Sequence, residues 1–121
     1  MAESLITSKA DYVVEEGVSG IWRYRKWASG IAECWGATAS TSHAMTSQSN
    51  NGWYASEQYS LPSGLFTAVT NVQANRNGGG GLVFISVYGT STSTINYYVC
   101  TVSGSMTSSF SILLSVKGRW K

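Results

Sequence analysis

Few side chains in this chain can do covalent chemistry. His43 is the single histidine and Asp11 the single aspartate of 121 residues. A Ser-His-Asp relay would have to combine those two with one of many serines, and no motif brings them together. No HxxxH, CxxC or acidic cluster surrounds His43, so a zinc site has no support. A solvated loop histidine is the expectation. Glu15 and Glu16 adjoin, but on a strand they face opposite ways and make a poor acid–base pair for glycoside hydrolysis. Calcium wants several carboxylates, and the chain has six acidic residues in all. Cys34 and Cys100 sit among apolar neighbours and read as buried free thiols; a single pair also leaves a disulfide open. The NGGGG run at 77–81 lacks the GK[ST] ending of a phosphate loop. This inventory predicts no catalysis, no cofactor and no metal.

What remains is binding by aromatic and amide groups. Asn50, Asn51, Trp53 and Tyr54 cluster at a junction of loop and strand, and Arg76 and Asn77 head the glycine-rich run. Ring faces beside Asn and Arg donors suit sugars, whose C–H faces stack and whose hydroxyls need planar polar partners. The competing reading is structural: Trp53 in the core and the asparagines making a turn.

These residues must be held by strands. Hydrophobic residues make up 43% of the chain and charged residues only 12%, about half the usual share. Ser, Thr and Gly fill the polar positions, which favours pleated surfaces over exposed helix faces rich in Lys and Glu. Eight strand patterns follow one another at short spacing: 12–16, 21–27, 31–38, 52–59, 65–74, 82–88, 95–102 and 110–116. In the last, Phe110, Ile112, Leu114 and Val116 share one face. Residues 39–51 carry no apolar period and read as a long loop or a short edge strand. The pattern is that of an all-β domain, a single sandwich resembling a jelly roll, over residues 11–121. Residues 1–10 form a lead-in or the end of a shaft.

A net charge of +2 is too weak for a nucleic-acid footprint. No apolar run reaches membrane-spanning length, and residues 1–10 lack the apolar stretch of a signal peptide. The expectation is a soluble chain made in a reducing cytoplasm. A surface so poor in charge suits burial against identical copies, because little charge must be desolvated.

The densest segment is 21–36, IWRYRKWASGIAECWG, with three of the five tryptophans. It reads as a β-hairpin. With a turn at Ala28-Ser29-Gly30, Arg25 faces Glu33, Arg23 faces Trp35 and Tyr24 faces Cys34. Rings then meet small partners on one face. The other face holds an Arg25–Glu33 ion pair and an Arg23–Trp35 cation–π contact. A shorter turn would set Lys26 against Glu33 instead. Either way Glu33 finds a basic partner rather than a catalytic role.

The runs Trp22–Gly36 and Lys117–Lys121 resemble the C-terminal domains of bacteriophage and prophage tail-fibre or head-fibre proteins. Trp22, Tyr24, Arg25, Lys26, Trp27, Ser29, Gly30, Ala32, Glu33, Cys34 and Trp35 match the hairpin of such domains. Gly118, Arg119 and Trp120 match their ending. The resemblance implies a homotrimeric β-sandwich at the tip of a fibre, following a shaft. It would be part of a virion assembled in a bacterial cytoplasm and would bind a surface glycan or protein receptor. It carries over no ligand residues, because the middle of the chain matches only in general character. Loops 39–52, 75–81 and 89–94 are the candidates for a variable tip. A structural module for trimerisation or capsid decoration fits the same residues, and a glycan-degrading enzyme fits them least.

Overall fold

The structure is a computed structural model that describes residues 10–50, 52–102 and 104–121. All of the expected lead-in except Ala10 lies outside the described residues, as does Asn51. Among the described residues ten strands are present: β1 (Val13–Ser19), β2 (Trp22–Trp27), β3 (Ile31–Ala37), β4 (Thr41–Met45), β5 (Ser47–Ser49), β6 (Gly52–Ser60), β7 (Ala68–Asn77), β8 (Val83–Thr90), β9 (Thr94–Thr101) and β10 (Met106–Arg119). Eight correspond to the strand patterns of the sequence. The two additional strands, β4 and β5, occupy the segment 39–51.

The strands form two packed antiparallel sheets. The larger holds β1, β2, β3, β10, β4 and β7; the smaller runs β5-β6-β9-β8. β10 is the axis of the larger sheet. β3 pairs with Leu113–Arg119 and β7 with Ser111–Arg119, so they lie on opposite edges of it. β4 pairs with Met106–Phe110. The predicted stripe Phe110, Ile112, Leu114 and Val116 is buried, in one cluster with Ile95, Tyr97 and Val99 of β9. Leu61, Leu65 and Phe66, on the crossing from β6 to β7, join that cluster.

The hairpin takes the first of its two registers, with Arg23 opposite Trp35, Tyr24 opposite Cys34 and Arg25 opposite Glu33. The partners on its outer face differ from expectation. Arg25 reaches Glu16 on β1 at 3.4 Å and lies over the Trp35 ring at 5.2 Å. Glu33 accepts a hydrogen bond from the Trp27 indole at 3.1 Å. β1 lies alongside β2 and offers two carboxylates, Glu15 taking Lys26 at 3.3 Å. Pairing the hairpin in isolation leaves that third strand out.

β7 also departs from simple alternation. Asn71 pairs with Lys117 and Val69 with Gly118, which leaves Thr70 as an extra residue. Such a bulge turns the chain by one position. Val69 and Val72 therefore both pack against the core, although strict alternation sends them to opposite faces.

The two ends of the resembling segment meet. The Trp120 indole donates to the Trp27 carbonyl at 2.8 Å, and the Trp120 amide donates to Gly30 at 2.9 Å. Arg119 Nη2 donates to the Ser29 carbonyl at 3.1 Å. Three bonds thus fasten the chain's last strand to the β2–β3 turn.

Candidate functional site

The outward face of the smaller sheet is built from alternate residues of β6, β9 and β8. Register sets Tyr54 beside Cys100 and Phe84, and Ser56 beside Tyr98 and Ser86. A bulge at Tyr88 follows, since Val87 pairs with Tyr97 and Gly89 with Asn96. The rings of Tyr88 and Tyr98 stack at 4.3 Å and 19°, and Tyr54 meets Tyr98 edge-on at 5.0 Å and 70°. The Tyr88 hydroxyl lies 3.3 Å from Ser56 Oγ. Stacked and edge-on pairs lock one another's rotamers, so the face is preorganised. Tyr88 is 53% exposed and Phe84 44%. Beside them runs a groove of about 310 Å³, lined by Ser49, Trp53, Tyr54, Phe84, Tyr98 and Val102 among others.

Of the residues singled out in the sequence, Tyr54 belongs to this face. Trp53, its neighbour, points the other way and packs half-buried against the core while bordering the groove. Asn50 has φ of +51°, the left-handed region that hairpin turns require. Asn51 lies outside the described residues. Arg76 and Asn77 are on β7 in the larger sheet, not in a loop. Arg76 Nη1 donates to the carbonyls of Gly80 and Gly81 at 3.2 and 2.9 Å, so it braces the glycine-rich turn. Asn77 offers its carbonyl to Ser111 Oγ at 3.3 Å. The five that are described do not converge on one place. Phe84, Tyr88 and Tyr98 were legible only as strand residues, because their common face follows from the order β6-β9-β8.

His43 is a buried residue of β4, at 5% exposure, and not a solvated loop residue. Its ring stacks on Phe110 at 4.2 Å. Nδ1 lies 2.6 Å from Glu57 Oε2, and Nε2 lies 3.3 Å from both the Phe110 carbonyl and Thr41 Oγ1. Thr41, His43 and Glu57 are thus arranged in the order of a nucleophile relay, at the edge of a groove of about 490 Å³. A relay needs a bare Nε2 to take the hydroxyl proton. The Phe110 carbonyl can only accept, so it bonds the ring in the tautomer with a proton on Nε2, and that tautomer has no bare Nε2 facing Thr41. The His43–Glu57 contact fastens β4 to β6 across the sandwich. Tyr97 also hydrogen-bonds Glu57; burial first, and then that carboxylate, push its hydroxyl pKa up.

Asp11, the other half of the relay weighed from sequence, is elsewhere. It accepts from Ser29 Oγ at 2.6 Å, which holds its carboxyl below the ordinary value. Cys34 and Cys100 are both free. Cys34 is fully buried in the larger sheet, and burial pushes its thiol up to about 12. Cys100 is half-buried on the aromatic face, not in the core. Among the described residues no group of three His, Cys, Asp or Glu could hold a metal ion. No described helix is long and apolar enough to cross a membrane. No protein-family model, curated protein or solved structure matches the chain.

Proposed function

We propose that this domain is a non-catalytic binding module, the receptor-binding tip of a phage fibre, which holds a bacterial surface glycan on the outer face of its smaller sheet. The observation that carries the reading is the preorganised cluster of Tyr54, Tyr88 and Tyr98 beside exposed Phe84. Aromatic rings standing open to solvent in fixed orientations suit the C–H faces of sugars. The fibre assignment is supported by the hairpin and ending motifs, which here form one clasp. In this reading the sandwich has jelly-roll character and works as a homotrimer at the end of a shaft. Three weak sites then gain by avidity, by roughly 10²–10⁴ over a single site.

The test is adsorption of the fluorescently labelled domain to a panel of bacterial cells. Wild type is expected to label some strains, and Tyr98→Ala to lose that labelling at unchanged oligomeric mass. A folded domain that labels no strain and loses its trimer on Tyr88→Ala would be an assembly module instead, since an uncharged aromatic face also suits burial between copies.

A further inference from the structure

We infer that the ligand of the aromatic face is a neutral glycan chain, free of phosphate, carboxylate and sulfate groups. This deepens the binding reading and rests on it. The argument comes from where the charges lie. Among the described residues, Glu57 is the only charged side chain on the strands of the smaller sheet. It belongs to the inward-facing set and is taken up by His43 and Tyr97. The outward positions of β6, β8 and β9 carry Tyr, Phe, Ser, Thr, Gln, Asn and Cys.

The chain does not lack cations; it places them elsewhere. Arg25 and Lys26 are held by Glu16 and Glu15, and Arg119 by the hairpin turn, all on the larger sheet. An anionic sugar laid on the aromatic face would lose hydration and meet no cation in return. A neutral sugar meets what is there: ring faces for its C–H groups, and hydroxyl and amide groups that both donate and accept. Ser56, Ser86 and Asn96 supply these beside Tyr98 and Tyr88.

The spacing further indicates a chain rather than one sugar. Phe84 and Tyr88, the exposed rings of this face, are four residues apart on β8. At about 3.3 Å per residue that is roughly 13 Å, too far for one pyranose to cover both.

An array of neutral and acidic bacterial envelope polysaccharides tests the inference, read with wild type, Tyr88→Ala, Tyr98→Ala and Ser86→Lys. Wild type is expected to bind neutral polysaccharides only, with affinity unchanged within about twofold between roughly 50 and 500 mM salt. Tyr88→Ala and Tyr98→Ala are each expected to lose about tenfold at unchanged melting temperature and oligomeric mass. Ser86→Lys, which sets a cation beside Tyr98, is expected to admit acidic polysaccharides.

The opposing outcomes separate the two readings. Acidic polysaccharides bound by wild type, weakened by salt and lost in Tyr88→Ala, overturn neutrality and leave the face as the site. Neutral binding untouched by either alanine variant overturns the placement on this face. Binding of no polysaccharide by the folded domain overturns both. A change of oligomeric mass in Tyr88→Ala shows that a second copy occupies the face, and overturns the inference.

Discussion

The two sheets of this domain divide its chemistry between them. The larger sheet carries the ion pairs, the cation–π contacts and the clasp between the β2–β3 turn and the chain's end. The smaller sheet carries an uncharged outer face of rings and small polar groups. Surface ion pairs add little stability one by one, typically about 0–1 kcal/mol. The larger sheet's charges therefore matter less for energy than for register, since each fixes which residues of β1, β2 and β3 lie opposite. The smaller sheet has no ion pair between its own strands among the described residues. Its outer face carries ring contacts and no charged residue of its strands.

The sharpest way to break this division is through glycines, because each sheet has them within its strands. At Gly118 of β10 a Cβ would run into the Ala68 carbonyl and the Val69 backbone of β7. Backbone cannot step aside as a side chain can. Gly118→Ala is expected to cost about 3 kcal/mol or to prevent folding, read by urea unfolding or soluble yield. At Gly89 of β8 the nearest atoms to an added Cβ belong to the Asn96 side chain, at 3.7 Å, an ordinary contact. Gly89→Ala is expected to stay within about 1 kcal/mol of wild type. Equal effects at the two positions would show that the larger sheet is no more tightly built than the smaller.

The same division explains what the sequence could and could not reveal. Alternation in Phe110, Ile112, Leu114 and Val116 showed the core face of β10, because a strand buried on one side writes its orientation with period two. The hairpin was legible down to two registers, because Glu33 meets a basic residue in both, and the charges went to β1 instead. β4 was legible only as a loop or a short edge strand, because its exposed residues are Thr, Ser and Ala and only one of its two core residues, His43 and Met45, is apolar. The bulge at Thr70 left no mark beyond a broken alternation. The aromatic face was invisible for another reason. Tyr54, Phe84 and Tyr98 lie on three strands, and nothing local says that β9 runs between β6 and β8. Asn50, Arg76 and Asn77 drew notice as polar residues near turns, and two of them serve those turns: Asn50 by its backbone, Arg76 by its guanidinium.

Between the sheets stands the contact that crosses the division, His43 with Glu57. His43→Ala removes a ring stacked on Phe110 and leaves Glu57, only 25% exposed, with Tyr97 as its remaining partner. The expected cost is about 2–4 kcal/mol in urea unfolding. Glu57→Gln is expected to cost less, and a double-mutant cycle to give a coupling of about 1–3 kcal/mol. A coupling near zero would mean that the sheets are joined by apolar packing alone.

The smallest effect separates the sheets through their thiols. Cys100, on the outer face, is expected to react with a thiol reagent in the native domain, while Cys34 stays protected until unfolding. Alkaline pH carries the same contrast into stability. An unfolded cysteine loses its proton near 9.0, whereas Cys34 in the fold holds it to about 12. Between those values the unfolded chain has released a proton that the folded chain keeps. The thiol's contribution is therefore intact below pH 9 and is lost as pH rises toward 12. Tyr97, raised from its ordinary 10.0, acts in the same direction at higher pH. Each such group adds a slope of at most about 1.4 kcal/mol per pH unit. Cys34→Ala is expected to flatten the fall of unfolding free energy between about pH 9 and 10, where the cysteines ionise in the unfolded state ahead of Tyr97. The same change at Cys100, half open to solvent, is expected to flatten it less. If Cys100→Ala flattens it more, then the aromatic face is the drier of the two surfaces in solution, and a second molecule covers it.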